Sequence, residues 1–301
     1  MAATPTQVDI GGRRLSVTNL DKVLYPEVGF TKGAVIDYYV RIAPVLVPHI
    51  EDRCVTFRRF PNGVDGKSFF EKRCPSHRPD WVKTAVGPGD RSGGIDYCVL
   101  DDVASLAWAG NLAALELHTP MSKSADIDAP TMVVFDLDPG APAGMRECAD
   151  VALDIRQSLA GLGLEVFAKT SGSKGLQLYL PLNTAHHNEQ ARSFALALAQ
   201  MLEKHHPEKV VTSQKKELRQ GKVLIDWSQN AGFKTTICAY SLRARPHPTV
   251  STPVTWDEVA AAADGAPLSF EAPEVLARVE AVGDLFAPTA TLCQTLPGAG
   301  A

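Results

Sequence analysis

The apolar positions of this chain follow two periods, and the switches between them mark out alternating strands and helices. Residues 14–17 read as a short strand after a Gly11-Gly12 turn. After Thr31, Val35, Tyr39, Ile42 and Leu46 recur at spacings of four, three and four, which predicts a helix that Pro44 bends or ends. Residues 55–60 and 68–72 form two strand-like runs around Pro61-Asn62-Gly63, a turn sequence, and so predict a hairpin. A short helix over residues 102–113 carries Trp108. The strand expected over residues 114–118 puts Glu116 and His118 on one face and Leu115 and Leu117 on the other. Met145, Cys148, Ala152, Ile155, Leu159 and Leu162 trace a helical stripe that Gly161 and Gly163 end. Strands follow at residues 166–168 and 176–180, then a helix over residues 191–202 and a strand over residues 223–226. Thr255 and Glu258 form a capping box that opens an Ala-rich closing region. The alternation establishes an α/β protein.

One stretch, Thr-Met-Val-Val-Phe-Asp-Leu-Asp-Pro-Gly at residues 131–140, organises the candidate chemistry. It reads as a buried strand ending in a turn. Asp136 and Asp138, two apart, share a face with Cα atoms roughly 6–7 Å from each other. A second apolar strand ends in Asp226. Burying like charges without a cation is costly, and three acids on two strands can hold two divalent cations about 3.5–4 Å apart. The plain alternative is a set of solvated acids at strand ends. An apolar strand closing on Asp-x-Asp also resembles the nucleophile motif of haloacid-dehalogenase-type phosphatases, with Asp136 as nucleophile. Those motifs continue with Gly-Thr or Gly-Val, whereas Pro139-Gly140 follows here. Residues 170–175, Thr-Ser-Gly-Ser-Lys-Gly, have the makings of a phosphate cradle: small residues let backbone N–H groups converge, and Lys174 supplies a charge. The spacing is not that of a Walker loop, and a strand follows in place of a helix.

At 301 residues and 45% hydrophobic content, the chain can bury one large core or two small ones. It contains no long apolar run and no basic, apolar-centred leader at its start, so a cytoplasmic protein without membrane contact is expected. Six scattered cysteines without a Cys-x-x-Cys pair argue against a disulfide framework and against structural zinc. Cys74 and His77 have ligand-like spacing but no second pair. The His186-His187 and His205-His206 pairs suit surface positions better than a metal site.

The net charge of −4 conceals a segregation. Residues 53–83 carry eight Lys or Arg against three acids, residues 213–247 seven against two, and residues 248–301 one against seven. Phosphate binding responds to local potential, so a polyanionic partner fits. Phe69 and Phe70 among Arg58, Arg59, Lys67, Lys72 and Arg73 suit a surface that stacks bases and neutralises phosphates, although in isolation both phenylalanines read as core.

Taken together and in order, Asp21-Lys22-Val23-Leu24-Tyr25-Pro26, Phe60-Pro61-Asn62-Gly63-Val64-Asp65, Phe69-Phe70-Glu71-Lys72, Phe135-Asp136-Leu137-Asp138-Pro139-Gly140, Thr170-Ser171-Gly172-Ser173-Lys174-Gly175-Leu176, Asp226-Trp227-Ser228-Gln229-Asn230 and Tyr240-Ser241-Leu242-Arg243 resemble the polymerase domain of bacterial DNA ligase D, a member of the archaeo-eukaryotic primase superfamily. The resemblance runs from Thr18 to about Val250. It implies a primase-polymerase domain over residues 1–290, with mixed sheets flanked by helices around a central cleft, and a flexible tail over residues 291–301. It also implies template-directed nucleotidyl transfer that fills gaps or extends ends in double-strand break joining, with ribonucleotides often preferred over deoxyribonucleotides.

By position, the resemblance makes Asp136, Asp138 and Asp226 the catalytic ligands of two manganese (or magnesium) ions. Ser171, Lys174, Arg219 and Arg243 would contact the triphosphate, with Gln177, His118 and Gln229 lining its site. Phe69 and Phe70 would stack at the template and nascent pair. Lys22 and Lys32 would hold a downstream 5′-phosphate, and Arg58 and Lys72 would complete the DNA contacts. In the family motif a histidine usually follows Ser-Gly-Ser-Lys-Gly-Leu, and here Gln177 stands in its place: an amide can donate a hydrogen bond but carries no charge. A stand-alone form would need a separate ligase and an end-binding protein such as Ku, and would work at the nucleoid. A module that binds DNA ends without turnover is the non-catalytic alternative.

Overall fold

The computed structural model describes residues 5–89 and 93–298. The chain folds as two compact units. The first comprises Met1–Thr119, Ile237–Ser251 and Phe270–Gly283; the second comprises Pro120–Thr236, Thr252–Ser269 and Asp284–Ala301. Among the described residues no helix is long and apolar enough to cross a membrane.

In the first unit, Thr31 caps the helix Lys32–Ile50 by accepting from the Ala34 N–H. The helix runs through both Pro44 and Pro48, where the sequence predicts a bend or an end at Pro44. The two prolines are one turn apart, so their missing N–H groups fall on one side. The other side buries Val35, Tyr39, Ile42, Leu46 and Ile50, and this packing outweighs the lost hydrogen bonds. The predicted hairpin forms: Thr56–Arg59 pairs antiparallel with Phe69–Glu71, placing Arg58 opposite Phe70 and Arg59 opposite Phe69. Ala114–Thr119 lies on the other side of Thr56–Arg59, so Phe69–Glu71 is the outer edge of its sheet. The helix Val103–Asn111 carries the buried Trp108 and starts at a capping box on Asp102. A disulfide joins Cys74 and Cys98, which the scattered cysteine spacing does not predict. Cys98 lies on the Gly94–Val99 strand and Cys74 in a loop, a meeting set by tertiary packing over 24 residues of chain.

The second unit is built on a six-stranded sheet in the order Val210–Val211, Val223–Asp226, Met132–Pro139, Leu176–Pro181, Phe167–Thr170, Pro253–Val254. It is mixed: Val210–Val211 runs parallel to its neighbour and the other pairings are antiparallel. Met132–Pro139 occupies an inner position and buries Val133, Val134, Phe135 and Leu137, as a strand covered on both faces requires. The helices Met145–Ala160 and Asn188–His205 both pack against it. Of the tail expected from residue 291, Leu296 is buried, and Gln294 bonds to the Leu182 carbonyl and to Glu165. Residues 299–301 lie outside the described residues.

Candidate active site

Strand register in the second unit brings the acids together. Asp136 is the cross-strand partner of Asp226, and Asp138 that of Leu224. Partners in an antiparallel ladder share a face and lie about 4.5–5.5 Å apart at Cα, so all three carboxylates leave the same face. On the other side Asp136 is partnered by Gln177, and Gln177 by Lys169. Four strands thus present the row Lys169, Gln177, Asp136, Asp226.

Hydrogen bonds run along this row. The buried Lys169 ammonium donates to Gln177 Oε1 at 2.5 Å, and Gln177 Nε2 donates to Asp136 Oδ1 at 3.0 Å. Asp226 Oδ1 accepts from Gln214 Nε2 (2.8 Å), Ser228 N (3.1 Å) and Ser228 Oγ (2.6 Å), while Oδ2 accepts from Gln229 Nε2 (2.8 Å). Asp138 is exposed, with Arg219 Nη2 3.7 Å from its carboxylate. Burial, with the charges of Asp138 and Asp226, pushes Asp136 up to about 7, against the opposing effects of Gln177 and Lys169.

Three carboxylates on one face, one of them raised by burial and by the other two, form a site short of positive charge. This is the donor chemistry of a divalent cation that takes oxygen ligands. Among the described residues no group of three or more His, Cys, Asp or Glu is gathered closely enough to hold an ion; Arg219 and the Gln214, Ser228 and Gln229 donors occupy oxygens of Asp138 and Asp226.

The surrounding loops are fixed by backbone contact. Gly175 leaves no room for a Cβ against the Leu137 carbonyl, so the loop after Thr170 is pressed onto the strand between Asp136 and Asp138. Gly140 is held in the same way against the Arg219 carbonyl. Within the loop, Ser171 Oγ accepts from the N–H groups of Ser173 (3.3 Å) and Gly175 (3.2 Å), and Lys174 is exposed. Asn230 has a structural part: its amide pairs with both the N–H and the C=O of Val134 and continues the sheet beyond Asp226.

The first unit holds the remaining candidates in two clusters. In one, Glu116 is buried and gathers Arg58 (3.5 Å), His118 (3.1 Å), Arg243 Nε (3.3 Å) and the Ala244 N–H (3.2 Å). Its burial opposes ionisation, but the His118 hydrogen bond, Arg243, the His118 charge and the Ala244 bond together hold it down at about 2. Burial lowers His118, with Arg243 and Arg58 adding to the effect against Glu116. Phe70 stands edge-on to His118 at 5.6 Å, with the Arg58 guanidinium 5.4 Å from the Phe70 ring.

Phe69 and Phe70 are 45% and 60% exposed, so the core reading fails for both. They lie on an edge strand, with the guanidinium of Arg59 5.3 Å from the Phe69 ring. With Lys72 they line a cavity of about 800 Å³.

In the other cluster, the Lys32 N–H bonds the Lys22 carbonyl, and Lys22 Nζ donates to Asn62 of the hairpin turn. Lys32 is buried, donates to the Thr18 carbonyl at 2.7 Å, and is lowered to about 8 by burial and by the charges of Lys22 and Arg59. The sequence patterns alone assign no role to Lys169 or Glu116. The period-two alternation, continued one residue past Ala168, is the signal that flags Lys169, and the face shared with His118 is the one that points to Glu116.

The family model for the LigD primase-polymerase domain matches residues 31–286. The chain is 45% identical over 277 residues to the multifunctional non-homologous end joining protein LigD of Mycolicibacterium smegmatis, covering 91% of this chain and 36% of that protein. It is 33% identical over 247 residues to the bifunctional LigD of Bacillus subtilis, covering 82% and 39%. The chain therefore spans a little over a third of the length of these relatives.

Among solved structures, the polymerase domain of Mycobacterium tuberculosis ligase D in complex with DNA superposes with a TM-score of 0.88 at 43% identity, over 93% of this chain and 99% of that one. These matches do not favour the phosphatase reading. A chain matched over most of its length by the domain model and by a solved polymerase domain belongs to the LigD primase-polymerase domain family, whose members are DNA-directed nucleotidyltransferases.

Proposed function

We propose that this chain fills gaps and extends DNA ends during break repair, adding ribo- or deoxyribonucleotides to a primer under template direction. The primer 3′-oxygen attacks the α-phosphorus, and pyrophosphate leaves. The supporting observation is the cross-strand pairing of Asp136 with Asp226, with Asp138 on the same face. Asp136, Asp138 and Asp226 are the proposed ligands of two divalent ions, manganese or magnesium, which when bound lower the primer hydroxyl's pKa and neutralise the departing pyrophosphate.

Ser171, Lys174 and Arg219 are assigned to the triphosphate, with Gln177 and Gln229 orienting the acids beside it. In the first unit, Glu116 fixes His118 and Arg243 for nucleotide contact. Phe69 and Phe70 offer exposed faces to bases, Arg58 and Lys72 add charge for the backbone, and Lys22 and Lys32 receive a 5′-phosphate. A ligase activity and an end-binding protein of the Ku type complete the pathway that the relatives' names describe.

The test is primer extension on gapped, 5′-phosphorylated DNA with manganese and each nucleotide class in turn. Incorporation by the wild type and its loss in Asp138→Ala support the reading. Tight binding without incorporation by the wild type makes the chain an end-binding module instead.

A further inference from the structure

The geometry points to Lys169 as a positioning residue for the metal ligand Asp136, acting through the side-chain amide of Gln177; this rests on the polymerase reading above. Lys169 is 1% exposed and lies on the face that carries the acids, two strands away from Asp136. An ammonium has three donors and no acceptor, so whatever it meets on Gln177 must be the carbonyl oxygen. The Tyr179 hydroxyl donates to the same Oε1 at 3.3 Å and is itself bonded to Thr236 Oγ1 at 2.8 Å. The Lys169 ammonium also sits 5.2 Å from the Tyr179 ring centroid.

Two donors on Oε1 leave one orientation of the amide, with its NH₂ aimed at Asp136 Oδ1. A glutamine without those donors could present either end, and the carbonyl end would repel the carboxylate. Lys169 and Tyr179 therefore decide that Gln177 is a donor to Asp136, and this fixes the rotation of that carboxylate. The row also answers the departure at Gln177: the positive charge that an amide cannot carry stands directly behind it on Lys169.

Positioning and through-space electrostatics differ here in sign. With the three carboxylates ionised, so at a pH above the value of about 7 to which Asp136 is raised, deleting a nearby ammonium should by itself strengthen cation binding, since the repulsion is gone. Loss of positioning should weaken it, since Gln177 can then turn its carbonyl toward Asp136. The experiment is titration calorimetry of the full chain with Mn²⁺ alone, on the wild type, Lys169→Met, Gln177→Ala and the double variant. Primer extension and thermal unfolding run alongside.

Lys169→Met is expected to weaken Mn²⁺ binding and kcat/KM about tenfold, and the double variant to be no worse than the poorer single one, because the two residues act as one unit. Tyr179→Phe, which keeps the ring packed 5.3 Å from Phe286, should shift both readouts in the same direction by less. It carries the test if Lys169→Met unfolds. Tighter Mn²⁺ binding in Lys169→Met, losses that multiply in the double variant, or Tyr179→Phe indistinguishable from wild type would each overturn the proposal. Absence of incorporation by the wild type would refute the polymerase reading, while the Mn²⁺ cycle would still test Lys169 independently.

Discussion

Replacing Glu116 with glutamine removes the one carboxylate at the centre of the Arg58, His118 and Arg243 cluster. Its side chain is 2% exposed, so solvent screens these interactions little. A carboxyl held at about 2 instead of its ordinary 4.5 corresponds to roughly 3 kcal/mol of stability. Glutamine keeps one acceptor, but its NH₂ must face a guanidinium or the His118 ring, and two arginines lose their counter-charge. The expected cost is about 3 kcal/mol at pH 7, within the range for breaking a buried pair.

The pH dependence has a definite sign. The folded-state value is depressed, so the stabilisation is complete above the unfolded value near 4.5 and disappears as pH falls through 2. Urea unfolding of wild type and Glu116→Gln, followed by fluorescence and circular dichroism, should show a gap in midpoint that is constant from pH 7 to 5 and narrows below. Equal midpoints at pH 7, or a gap indifferent to pH, would refute this account of the cluster.

Other perturbations separate packing from function. Gly175→Ala forces a methyl group into the Leu137 carbonyl and should cost about 2 kcal/mol or more in chemical denaturation, with loss of incorporation. Phe70→Ala removes an exposed ring: stability should stay within about 0.5 kcal/mol of wild type, while affinity for gapped DNA by fluorescence anisotropy falls by about 1–3 kcal/mol. Lys32, lowered to about 8, is charged below that pH, so the preference for a 5′-phosphorylated over an unphosphorylated gap should be largest below pH 8 and decline above it; in Lys32→Gln, with Lys22 alone left, it should be smaller and lose that decline near pH 8.

Individual strands are legible in the sequence, but their partnerships are not. An apolar run closing on Asp136 and Asp138 identifies a buried strand, and alternation puts both acids on one face. That Asp226 lies opposite Asp136 depends on register between segments ninety residues apart, which no local pattern encodes. Lys169 is hidden because the apolar run stops at Ala168, and a lone lysine beyond such a run reads as solvent-facing. Phe69 and Phe70 read as core because hydrophobicity predicts burial, but that holds only where a second layer covers the face, and on this strand both rings stand exposed. The Cys74–Cys98 bond and the helix through Pro44 are tertiary decisions, made by packing that spacing rules do not see.

The central claim is that Asp136, Asp138 and Asp226 together hold the catalytic cations. Anomalous diffraction from crystals of the chain grown with manganese, nucleotide and gapped DNA tests it most directly. Manganese peaks are expected within coordination distance of all three carboxylates, with Arg219 displaced from Asp138; peaks only elsewhere, with Asp226 still bound to Gln214, Ser228 and Gln229, would contradict it.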